Sequence, residues 1–93
     1  MSYGIVLSLE AKNKLARFPL PVRRFTLLQL ENLAENPTAL SKRSEFPYRE
    51  KSQLFVFHYD HDAKRWEICV MFQYGADEET IHVIAIGFSL VDP

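Results

Sequence analysis

Five residues, Leu33-Ala34-Glu35-Asn36-Pro37, divide the chain. Before them lies a helical period. From Val22 to Glu35 the apolar residues Val22, Phe25, Leu27, Leu28, Leu30, Leu33 and Ala34 form a wide stripe, with Arg23, Arg24, Glu31 and Glu35 off it. Asn36 suits a left-handed cap, and Pro37 cannot continue the helix. After them the period changes to that of strands. Gln53 to Asp60, Trp66 to Tyr74 and Thr80 to Phe88 are rich in β-branched and aromatic residues. Asp60-His61-Asp62-Ala63 and Gly75-Ala76-Asp77-Glu78 supply the turns between them.

The residues before the long helix add two more elements. Tyr3 to Leu7 reads as a first strand. Ser8 is a good N-cap, and Ala11, Leu15 and Phe18 form one face of a short helix that Pro19 ends. Pro21 suits the first position of the second helix. So short a connection predicts antiparallel helices. The predicted order is one strand, two antiparallel helices and a three-stranded antiparallel meander. This is an α+β domain spanning residues 1–93, with the first strand on the sheet edge and the helices on one face. Thr38 to Lys51 reads as a polar loop with a short extended piece at Phe46 to Arg49.

Composition narrows the functions open to such a domain. The single cysteine, Cys69, excludes an intramolecular disulfide and reads as a core or sheet-face residue. The opening residues lack a signal peptide's basic region and long apolar run, and no segment approaches a membrane helix. A soluble cytoplasmic protein without membrane contact is expected. The net charge is −1, but residues 1–51 hold nine Lys or Arg against five Asp or Glu, and residues 52–93 hold two against seven. That is +4 against −5. The whole chain lacks the basic excess of a dedicated nucleic-acid binder. Its first half still allows a local basic surface for nucleic acid, another target or an acidic partner.

The element order and its residues resemble the RelE/ParE superfamily of bacterial toxins. The likeness rests on Ser8 with Glu10-Ala11 opening a helix, Leu30-x-x-Leu33-x-x-Asn36-Pro37 closing the next, a basic connector and three strands. The last strand contains Ile84-Ala85-Ile86-Gly87, like the segment before the family's C-terminal catalytic arginine. The resemblance implies a toxin held inactive by an antitoxin. It acts either by inhibiting DNA gyrase, as the ParE branch does, or by cutting mRNA on the ribosome, as the RelE branch does. The latter would be metal-free endoribonuclease chemistry, and no cofactor is implied.

The family's usual catalytic arginine positions are not matched. His58 and Asp60 stand where the family often has two basic residues. Trp66-Glu67 replaces a frequent Tyr-Arg, and Phe88-Ser89 replaces a basic pair. A carboxylate beside RNA phosphate is repulsive. Binding is therefore the expected mode. If RNA is cut, His58 is the candidate general base or acid, since histidine side chains titrate near neutrality. Arg65, Arg49 and Lys51 are then the candidate phosphate contacts. Arg23, Arg24, Arg43, Arg49 and Lys51 are the candidate nucleic-acid or target-binding residues. Leu54, Val56, Cys69 and Met71 form an apolar patch on the open sheet face, a candidate surface for an antitoxin or a second copy. His82 is expected near a sheet edge. Asp60-His61-Asp62 is not expected to hold a metal, because adjacent turn residues rarely converge on one ion. The competing expectation is an inactive module of the same fold that serves protein interaction or homodimerisation.

Overall fold

The computed structural model describes residues 2–43 and 52–93. Its elements are β1 (Gly4–Leu7), α1 (Leu9–Ala16), α2 (Leu20–Glu35), α3 (Pro37–Leu40), β2 (Lys42–Arg43), β3 (Gln53–His61), β4 (Lys64–Tyr74) and β5 (Thr80–Val91). The sheet order is β1-β5-β4-β3-β2. β3, β4 and β5 form the expected antiparallel meander, while β1 joins β5 in parallel at the edge. The short β2 adds a second edge beyond β3, inside the segment expected as loop. The extended piece predicted at Phe46 to Arg49 lies outside the described residues.

Local chemistry accounts for the first turn. The Ser8 hydroxyl oxygen accepts from the Ala11 N–H at 3.0 Å, capping α1. The same hydroxyl donates to the Ile84 carbonyl at 2.7 Å, tying the helix start to β5. α1 then runs along β5, its Phe18 end meeting Trp66 and Phe88. α2 returns from Phe25 against Tyr59 to Ala34, whose carbonyl accepts from the Tyr3 N–H at 2.8 Å. The helices are therefore antiparallel, as predicted.

The end of α2 differs from expectation. Asn36 has φ −150° and ψ 63°, so it is not left-handed. Its N–H still bonds the Asn32 and Leu33 carbonyls. Pro37 ends the long helix but opens α3, because a helix's first position needs no N–H donor. The stripe is also narrower than its sequence suggests. Leu27 and Leu28 are exposed, and Thr26 is fully buried in their place. Burial is possible because the Thr26 hydroxyl donates to the Val22 carbonyl at 2.8 Å.

The core lies between the helices and one sheet face. It joins Ala11, Leu15, Val22, Leu30 and Leu33 to Phe55, Phe57, Trp66, Ile68, Val70, Phe72, Ile81, Val83 and Ile86. The β3–β4 hairpin closes on Asp62 and Ala63, both at positive φ (55° and 60°), between the paired His61 and Lys64. Those angles belong to the tight turn that matches strand twist. The β4–β5 turn is held by Asp77, which accepts from the N–H groups of Glu79 (3.0 Å) and Thr80 (3.1 Å) and from the Thr80 hydroxyl. These bonds hold its carboxyl below the usual carboxylate range. A Cβ at Gly75 would lie 3.0 Å from the exposed His82 ring, which would have to shift to admit a larger residue there.

Candidate functional site

The sheet face away from the helices is the one broad face without a layer over it among the described residues. Its side chains fall into rows set by strand register. Leu54, Met71 and Ala85 make one row, and Val56, Cys69 and Gly87 the next. His58, Glu67 and Ser89 follow, then Asp60, Arg65 and Val91. Rows lie roughly 7 Å apart, from two residues of strand rise. One half of the face is therefore apolar and the other charged. Val56 is exposed, and a Cβ at Gly87 would meet nothing within 4 Å, so the apolar half has a shallow floor.

The charged half is internally paired. His58 Nε2 lies 3.1 Å from Glu67 Oε2, with the two side chains 50% and 48% exposed. Arg65 Nε donates to Asp60 Oδ1 at 2.9 Å, and its Nη2 donates to Oδ2 at 3.3 Å. This fork holds the Asp60 carboxyl below its usual range and pushes the Arg65 guanidinium higher. Asp60 therefore cannot turn toward His61 and Asp62 without losing Arg65. Among the described residues, no three His, Cys, Asp or Glu side chains gather as a metal site.

The structure thus brings together two groups of predicted residues. Leu54, Val56, Cys69 and Met71 share the apolar half, and His58 and Arg65 share the charged half. The basic set is not assembled in the same way. Arg23 does not face outward: its Nη2 donates to the Ala16 and Phe18 carbonyls, both at 3.1 Å. It closes the C-terminal end of α1, and its Nε is buried without a partner among the described residues. Arg24, next on the helix, is exposed. Arg43 pairs with Gln53 through β2, while Arg49 and Lys51 lie outside the described residues. His82 is exposed but not at an edge, because β5 runs between β1 and β4.

One feature was hidden from sequence reasoning. Phe88 stands where a basic residue was sought, and it faces the helix side. There it stacks on Trp66 (4.7 Å between centroids, 27° between planes) and meets Phe18 edge-on at 5.5 Å. Alternation along β5 would have predicted this only with knowledge of the register shift at Met71/Phe72.

The chemistry open to the face follows from these pairs. RNA cleavage needs a base, an acid and a cation for the crowded phosphate. His58 and Glu67 can move protons. The Arg65 guanidinium is already engaged by a carboxylate, and Glu67 adds negative charge beside it. The apolar half suits a protein surface better than a phosphate chain.

Comparison with known proteins shows a RelE-like fold. No protein-family model matches the chain, and no curated protein matches it significantly. Solved structures do. The toxin–antitoxin complex RelBE2 from Mycobacterium tuberculosis is similar with a TM-score of 0.65 at 12% identity, covering 96% of this chain and 100% of that one. A double mutant of the E. coli toxin RelE in the free state gives 0.65 at 16%, covering 94% and 83%. The intact E. coli RelBE toxin–antitoxin complex gives 0.66 at 15%, covering 92% and 95%. At such identities the likeness lies in the fold. No helix among the described residues is long and apolar enough to cross a membrane.

Proposed function

We propose that this chain is the toxin component of a toxin–antitoxin pair and that it acts by binding its target, as ParE-type toxins do. Likeness to two toxin–antitoxin complexes over more than nine-tenths of the chain supports the pairing with an antitoxin. The observation that carries the binding mode is the state of the open face. On its charged half, His58 and Arg65 lie in carboxylate pairs beside an apolar floor, and the exposed His82 stands apart from them, in register with Gln73. A nuclease of this fold would need a cation available to phosphate. A binding surface needs only shape and apolar area. The antitoxin covers the row of Leu54 and Met71 and the row of Val56 and Cys69, and DNA gyrase is the target class that fits this mode.

Induced expression of the chain alone, then beside its neighbouring reading frame, tests the proposal. Growth arrest relieved by the neighbour is expected, with inhibited supercoiling by gyrase and intact ribosome-bound mRNA. Val56→Lys should abolish the relief, whereas His58→Ala should leave the arrest unchanged. Cleavage of mRNA on ribosomes, lost in His58→Ala, would replace binding with catalysis. Growth without arrest would leave an interaction module of the same fold.

A further inference from the structure

We propose that the last part of β5 is a strand-pairing edge through which two copies of this chain associate. The inference does not depend on the toxin reading. β5 pairs with β4 as far as Val91, but with β1 only from Thr80 to Val83. Ser8 closes that flank, its N–H reaching the Val83 carbonyl at 2.9 Å and its hydroxyl the Ile84 carbonyl at 2.7 Å. Among the described residues, a strand lies on only one side of β5 from Ala85 onward. α1 packs over the face that carries Ile86 and Phe88, with Lys14 above the Phe88 ring.

Such an edge presents a row of N–H and C=O groups that another strand can pair with along its length. Proteins commonly guard these edges with Lys, Pro or an inward charge. Ile84-Ala85-Ile86-Gly87-Phe88-Ser89-Leu90-Val91 contains none of these. Phe88 is 42% exposed, Leu90 51% and Val91 39%. The segment is unguarded, extended and apolar.

Charge decides the occupant. The nearest charged side chains on the open face, Arg65 and Glu67 of β4, are already paired with Asp60 and His58. The segment Ile84 to Val91 carries no charged residue of its own with which to select a charged strand, and Asp92 just beyond it is paired with Lys64. The edge fits a neutral apolar strand, and β5 is one. Two-fold antiparallel pairing keeps like faces on the same side, so opposed residues must share a face. Centred on Ser89, the pairing sets Phe88 against Leu90 of the second copy and Gly87 against Val91. Ser89 meets its own counterpart. No like charges oppose, and the stack of Phe18, Trp66 and Phe88 supplies an aromatic anchor beside the axis.

Sedimentation of the full chain from about 1 to 100 µM spans the range of weak homotypic contacts. A concentration-dependent dimer is expected. Leu90→Lys should raise its dissociation constant at least about tenfold, with the circular dichroism spectrum unchanged. A second measurement reads the register. Directly opposed Cβ atoms lie about 4.5–5.5 Å apart, close to disulfide reach. Ser89→Cys in a Cys69→Ala background should therefore cross-link two chains on mild oxidation. A chain that stays monomeric throughout overturns the proposal. So does a dimer that survives Leu90→Lys and forms no Ser89→Cys cross-link.

Discussion

The two faces of the central sheet share strands and register but handle their side chains in opposite ways. On the helix side Phe72, Ile68 and Val70 are fully buried, one residue away from Met71, Cys69 and Glu67, which face outward. The buried face is held by area removed from water. The open face is held by cross-strand pairs that water screens. The same alternation thus yields a face that carries stability and a face left available for recognition.

The widest gap between the faces should appear in paired truncations. Phe72→Ala should cost about 3–5 kcal/mol, because it removes a buried aromatic side chain and leaves a cavity. Val56→Ala on the open face should cost under about 1 kcal/mol, since the side chain is already partly hydrated. Urea denaturation of both variants measures the contrast. Similar costs would mean that the open face is not open in solution.

A smaller effect is expected where the helix layer closes on itself. Arg23→Met keeps the apolar stem but leaves the Ala16 and Phe18 carbonyls without their donor. A loss of about 1–3 kcal/mol is expected by the same measurement. Arg24→Met, one residue along, should change little, which separates the inward arginine from the exposed one.

The smallest effect belongs to the charged rows of the open face. The Arg65 hydrogen bonds hold Asp60 below the usual carboxylate range in the folded chain. The unfolded chain therefore binds the proton more readily. The pair's contribution is present above the unfolded carboxylate pKa, near 4, and disappears as pH falls through the depressed folded value. Asp60→Asn should leave the denaturation midpoint at pH 7 almost unchanged and slightly flatten its decline on the acid side. A large loss at neutral pH would show that this face carries stability after all.

Much of this arrangement was legible in the residues. Ser8, Pro19 and the change of period after Pro37 predicted the element order. Alternation in β3 separated Phe55, Phe57 and Tyr59 from Leu54, Val56 and His58. The unused set was thereby recognised as an open face. Other features were hidden because they depend on contacts distant in sequence. Arg23 looked like a surface cation, and only the return of α2 past α1 brings it to the Ala16 and Phe18 carbonyls. Leu27 and Leu28 looked like core, but the angle at which α2 crosses the sheet buries Thr26 instead.

Local chemistry, caps, turn residues and periods act over a few positions, so the sequence by itself determined the order of the main elements and the alternation of β3 and β4. Tertiary structure alone decided which cations remain available. A cation's availability depends on the partner that folding brings to it. For Arg65 that partner is Asp60 across the hairpin, and for Arg23 it is the end of another helix. For Phe88 it is Trp66 on the neighbouring strand, reached through a register that no single strand encodes.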